Sequence, residues 1–200
     1  MYLKMALFPV PNDPLAQQYY EAIHGDEAAD PNQLLSINIQ SGQFSLPVLE
    51  FLLSYRPDLE DYDEQGLTVL QLAVMRRAPL EFIQTLINAG SDVRSTTLNG
   101  NALLDLAVRY NRPEVVDYII RQFYFPVNQR NEQGLTPLHF AAADYVFSTD
   151  RYSSKSPYRA QNIQVLLQYG ADPNILTPDG QRAFNLTTDP SIRATLSTRK

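Results

Sequence analysis

Apolar residues along this chain gather in short clusters of helical period, and several clusters stand directly behind a polar tip that ends in glycine. Leu67, Val69, Leu70, Leu72, Ala73 and Val74 follow Gly66, and Ala102, Leu103, Leu104, Leu106, Ala107 and Val108 follow Gly100. Leu138, Ala141 and Ala142 follow Gly134, and Ala183, Phe184 and Leu186 follow Gly180. This spacing puts the apolar side chains on one helix face. Gly66, Gly100 and Gly134 are spaced 34 residues apart, whereas Gly180 lies 46 residues after Gly134. A second apolar pair recurs between the tips, at Leu52–Leu53, Leu86–Ile87, Ile119–Ile120 and Leu166–Leu167. The pattern predicts helices over 14–24, 33–41, 46–55, 68–76, 80–89, 102–109, 113–122, 136–144, 159–169 and 182–187, with a last one over 191–196. Leu70, Leu104, Leu138 and Phe184 share one register position and are expected to be buried.

The stretch Asn131 to Ala142 explains why a tip should feed a helix. Asn131 to Gly134 are turn formers, and Gly134 tolerates the positive φ of a tight hairpin. Thr136 offers a capping hydroxyl, and Pro137 sits in the first helical turn, where its missing N–H costs nothing. The run Thr136-Pro137-Leu138-His139-Phe140-Ala141 resembles the Thr-Pro-Leu-His-x-Ala core of ankyrin repeats. Leu166 to Asn174 resembles the family's Leu-Leu-x-x-Gly-Ala-Asp-x-Asn, and Leu86 to Val93 does so more loosely. The resemblance covers roughly residues 33–187 and implies an all-α fold, an α-solenoid of stacked helix-turn-helix units with short hairpin-like loops. The expected organisation is an N-terminal extension and capping helix over 1–30 and a repeat domain over 31–200. Its units would be 31–60, 61–94, 95–128, 129–174 and a C-terminal cap 175–200. The dozen extra residues before Gly180 become an insertion at 145–158 inside the fourth unit. After Leu52–Leu53 and after Ile119–Ile120 the helix-ending glycine is absent, which predicts less regular helix ends there.

Charge and composition narrow the function. The net charge is −6 and the sequence pI about 4.9, which argues against nucleic acid or an anionic membrane as partner. There are no cysteines, so disulfides and thiolate metal sites are excluded. The N-terminal apolar run is cut by Pro9 and Pro11 and is not read as a secretory signal, and no stretch has the length of a membrane span.

Chemistry-bearing motifs are sparse. Of the two histidines, His139 falls on the His of the ankyrin core, where the resemblance implies hydrogen bonds between neighbouring loops. His24 ends a predicted helix and reads as a solvated cation there. Asp61, Asp63, Gln65 and Gly66 imitate the start of a calcium loop, but its twelfth position, which needs a bidentate carboxylate, is Leu72. No catalytic residue, metal ligand or cofactor site is assigned.

The resemblance points instead to recognition of another protein, through columns that vary for binding. These are the two residues before each tip glycine, namely Glu64 and Gln65, Leu98 and Asn99, Glu132 and Gln133, and Pro178 and Asp179. To them are added the residue after the glycine (Leu67, Asn101, Leu135, Gln181) and the inner-helix ends Arg76, Arg109, Tyr110 and Asp144. Acids at the tips and Arg76, Arg77, Arg109 and Arg112 at the helix ends would make one edge acidic and the other basic. Phe147 and Tyr152 join the set because the insertion is aromatic and would expose apolar area unless it docks or binds. Taken singly, each of these residues could be ordinary solvated surface. The expected function is a non-enzymatic adaptor or scaffold, monomeric when unbound and cytoplasmic. The alternative is a regulatory or inhibitory subunit, or a protein similar to the ankyrin effectors that intracellular bacteria translocate into host cells, acting through 145–158.

Overall fold

The computed structural model describes residues 10–25, 28–110, 112–144 and 157–197. Among the described residues, ten α-helices and one short 3₁₀ turn form the secondary structure, with no strand beyond the isolated bridges Thr96–Ala102 and Leu176–Arg182. The chain divides into two compact units, up to Asp92 and from Val93 onwards.

The first unit holds α1 (Pro14–His24), α2 (Pro31–Ser41), α3 (Leu46–Ser54), α4 (Val69–Met75) and α5 (Leu80–Asn88). Asp13 and Asp30 cap α1 and α2, accepting from the N–H groups of Ala16 and Asn32 at 2.8 and 3.0 Å, and a proline follows each. Helix α1 packs on α3, while α2 packs on both α3 and α4. Leu35, Ile39, Leu49, Leu52, Leu70, Phe82 and Leu86 are fully buried. His24 departs from expectation. Its ring stacks on Tyr20 at 4.1 Å, its Nδ1 lies 2.9 Å from the Tyr20 carbonyl, and Tyr55 approaches its Nε2 at 3.4 Å. It is a half-buried member of an aromatic cluster rather than a solvated helix end, because α1 lies against α3.

The second unit holds α6 (Leu103–Arg109), α7 (Pro113–Phe123), α8 (Pro137–Ala142), α9 (Pro157–Gln168), the 3₁₀ turn Ala183–Leu186 and α10 (Pro190–Ser197). Helix α6 packs on α7 and α8, α9 packs on α7 and α8, and the 3₁₀ turn bridges α8 and α10. Leu104 and Leu138 are buried as expected, as are Val116, Ile119, Ile163 and Leu166. Phe184 is only half-buried, under the Arg193 guanidinium at 5.3 Å. Helix α8 is shorter than predicted because Ala143 turns extended, and α9 begins two residues early, at Pro157. Most of the aromatic insertion, including Phe147 and Tyr152, lies outside the described residues. Tyr158 is in α9 and exposed.

The missing glycines leave the backbone unchanged. Arg56, Gly90, Tyr124 and Gly170 occupy one register position, and all four are left-handed, with φ of 53, 112, 49 and 85°. A Cβ added at Gly90 or Gly170 would have no atom within 4 Å, so the torsion alone disfavours other residues there.

Candidate functional site

Each tip is closed by its first residue. Asp63 Oδ1 accepts from the N–H groups of Gln65 and Leu67 at 2.9 and 3.0 Å, and Asn131 Oδ1 accepts from those of Gln133 and Leu135 at 3.0 and 2.9 Å. Thr97 and Thr177 use Oγ1 instead, accepting from the N–H of Asn101 and Gln181 at 3.2 and 3.1 Å. In all four tips the glycine N–H returns to the carbonyl of that first residue, at 2.8–2.9 Å. The backbone is therefore over-determined, and the side chains of the two residues between first residue and glycine are not among the groups that hold it. Glu64, Gln65, Leu98, Asn99, Glu132, Gln133, Pro178 and Asp179 are all exposed, Leu98 to 74%.

Successive tips of the second unit abut. Asn131 Nδ2 donates to Asn101 Oδ1 at 3.0 Å within the buried interior, and Arg130 Nη1 donates to the carbonyls of Gly134 and Leu176, each at 2.7 Å. Glycine is needed at two of these tips for space as well as for φ. A Cβ on Gly100 would stand 2.3 Å from Glu132 Cγ, and one on Gly134 would stand 2.8 Å from Pro178 Cγ. The column after the glycine is less available than expected. Leu67 and Asn101 are buried, and the Asn101 side chain is engaged in the tip-to-tip bond.

Behind every tip the third helical residue reaches back to the N–H of the capping position. Gln71 accepts from Thr68 at 3.1 Å, Asp105 from Ala102 at 2.9 Å, His139 from Thr136 at 3.0 Å and Asn185 from Arg182 at 3.1 Å. His139 Nε2 also meets the Ile175 carbonyl at 2.9 Å, so the hydrogen-bond pattern assigns the proton to Nε2. Burial pushes the His139 pKa down and the nearby Arg130 charge adds to that, against the opposing pull of the Ile175 carbonyl. The ring is neutral and ties two loops together.

The inner-helix ends differ from one another. Arg76 is exposed, whereas the Arg109 guanidinium lies over the Phe140 ring at 4.8 Å and Tyr110 is half-buried. Arg112 is removed from the basic edge, since it is buried and its Nε pairs with Glu114 at 2.6 Å. Asp144 faces inward chemistry. Its carboxylate accepts from Arg159 Nη2 at 2.9 Å, from the Thr187 hydroxyl at 3.0 Å, and from both the hydroxyl and N–H of Thr188. Burial raises its pKa, but the Thr188, Arg159 and Thr187 hydrogen bonds outweigh that and hold it at about 2. Arg159, 5% exposed, also donates to the carbonyls of Ala141 and Ala142. No motif in the sequence marked Arg159 or Arg130, because their partners are backbone carbonyls or, for Arg159, side chains 15 and 28 residues away.

In the first unit an open cavity of about 500 Å³ lies between α2 and the 58–64 loop. Ile37 and Tyr62 line it, 54% and 52% exposed, with Asp30, Asp58, Asp61, Asp63 and Glu64.

The family model for ankyrin repeats (3 copies) matches residues 35–131 and 76–177. The chain belongs to the ankyrin-repeat family. Ankyrin repeats are protein–protein interaction modules, and the exposed tip residues stand on the repeat framework just described. Alpha-latrocrustotoxin-Lt1a of Latrodectus tredecimguttatus is 26% identical over 147 residues, which cover 73% of this chain and 9% of the toxin. The chain therefore spans under a tenth of that relative's length. Among the described residues, no helix of these repeats is long and apolar enough to cross a membrane.

Proposed function

We propose that this chain is a non-enzymatic adaptor, monomeric when free, that binds a partner protein through its hairpin tips and the adjoining inner-helix ends. The observation that supports this reading is the contrast at the tips. Their backbones are held by side-chain and glycine hydrogen bonds, while every residue just ahead of a tip glycine is exposed. A pre-organised loop loses little conformational entropy on binding, so its exposed side chains are effective contacts. Leu98 is an apolar side chain held out in solvent on such a loop. The partner contacts proposed are Glu64, Gln65 and Arg76 in the first unit, and Leu98, Asn99, Arg109, Tyr110, Glu132 and Gln133 in the second.

The test is affinity capture with the full chain, comparing wild type, the tip double variant Leu98→Glu with Glu132→Lys, and a control on α7, Gln122→Lys. The tip variant should lose the captured partner at an unchanged melting temperature, and the control should keep it. Equal capture by all three refutes the assignment. If the captured partner is an enzyme whose turnover falls as the chain is added, the inhibitory reading replaces the adaptor one.

A further inference from the structure

Four side chains share the third helical position behind a tip, and one of them differs chemically from the others. Gln71, His139 and Asn185 are neutral groups that keep a donor after accepting the capping N–H. His139 places that donor on the Ile175 carbonyl at 2.9 Å. Asp105 stands in the same register but, when ionised, has no donor to give. It is only 4% exposed, and its Oδ1 is buried with no hydrogen-bond partner, while Oδ2 has just the Ala102 N–H. A buried carboxylate supported by a single N–H is costly, and one proton both removes the charge and supplies the missing donor.

The repeat identifies the acceptor. Ile175 lies five residues before Gly180, and Gln129 lies five before Gly134. Both donate their N–H three residues back, Ile175 to Asp172 at 3.5 Å and Gln129 to Pro126 at 3.2 Å, so the two loops share one turn. By register, then, the Gln129 carbonyl corresponds to the Ile175 carbonyl, and it is the acceptor that a protonated Asp105 would be offered.

We propose that Asp105 is a protonation switch in the second unit: as a neutral acid it bridges the start of α6 to the Gln129 loop, and its ionisation breaks that bridge and loosens the two tips it joins. The proposal does not depend on the protein-binding reading, although these tips carry Leu98, Asn99, Glu132 and Gln133.

The surrounding charges fit. Of the elements packed on α6 in this unit, α7 brings Arg112, Glu114, Asp117 and Arg121, which are paired as Arg112–Glu114 and Arg121–Asp117. Helix α8 brings His139, whose ring is committed to Thr136 and Ile175. Arg109, one turn along α6, is the charge that favours the ionised form. Burial prevails over it and over the Ala102 N–H, and raises the carboxyl to about 7. The folded value therefore lies above the unfolded one of about 3.9. The stability contributed by the protonated group is complete below about pH 4 and is lost as pH rises towards 7.

Two measurements on the full chain test the switch. The first is ¹³C NMR titration of the Asp105 carboxyl carbon from pH 4 to 9, with a midpoint expected near 7. The second is urea unfolding of wild type and Asp105→Asn, whose amide supplies a permanent donor. Each pH unit inside the window changes the unfolding constant about tenfold, so the wild-type constant should rise relative to the variant on the order of a hundredfold between pH 5 and 8. Taking this ratio cancels the contribution of His139. A carboxyl that titrates near 4, or a variant that parallels wild type across pH, overturns the proposal. If Asp105→Asn does not fold, the NMR midpoint decides alone.

Discussion

Replacing Arg159 by alanine should be among the most damaging single changes in the second unit. The side chain is 5% exposed and makes at least four hydrogen bonds, to the carbonyls of Ala141 and Ala142, to Asp144 Oδ1 at 2.9 Å and to Thr187 Oγ1 at 3.2 Å. The two carbonyls belong to the C-terminal end of α8, where a helix has no intrahelical donor for its last carbonyls. Each buried carbonyl left bare costs about 1–3 kcal/mol. Asp144 loses its cation but keeps Thr187 and Thr188, so its share is smaller. Together the loss is about 3–5 kcal/mol, the range for breaking a buried ion pair from one side. With a urea slope of about 2–3 kcal/mol per molar, the midpoint should fall by roughly 1–2 M, read by far-UV circular dichroism. Arg159→Lys keeps the charge but not the planar fork, and should recover under half of the loss. A destabilisation by Arg159→Ala below about 1 kcal/mol would refute this account of the clasp.

Other expectations are more local. Tyr124→Gly and Arg56→Gly should each raise stability by about 0.5–1 kcal/mol in thermal melts, since relief of the left-handed torsion exceeds the entropy glycine adds to the unfolded chain. Gly134→Ala should lower it by about 1–3 kcal/mol, because the new methyl is strained by φ and meets Pro178 at 2.8 Å, whereas Gly90→Ala meets open space and should cost only the torsional part. The folded pKa of His139 is depressed, so its contribution is present above the unfolded value near 6.5 and lost as pH falls below it. Replacing His139 by Gln, the residue at Gln71, should flatten that acid limb of the stability profile.

Much of the framework could be read in the sequence because it is local. Gly66, Gly100 and Gly134 mark hairpins by their own torsional freedom, and Thr68 and Thr136 mark helix starts by their own hydroxyls. Contacts that close over long sequence separation could not be read. Asp144 looked like a free member of a variable column, yet it is held by Thr187 and Thr188, 43 and 44 residues away. Arg112 looked like a surface cation, and its burial follows from the packing of α7 against α6. The expected helix at 182–187 shortened to a 3₁₀ turn, with Thr187 extended and its hydroxyl on Asp144. At the tips, exposure of Leu98 and Glu132 was legible from register; the burial of Asn101 was not, because it depends on Asn131.

The left-handed helix ends have a practical corollary for labelling. At Gly90 and Gly170 a Cβ would point into empty space, and Tyr124, at the equivalent position, is 89% exposed. Such a residue reports on its surroundings without belonging to them. A spin label or fluorophore attached through Tyr124→Cys in this cysteine-free chain would be a single-site probe. It would sit outside the hydrogen-bonded tips, on a torsion the backbone adopts whichever residue is present, and so could follow opening of the second unit without disturbing it.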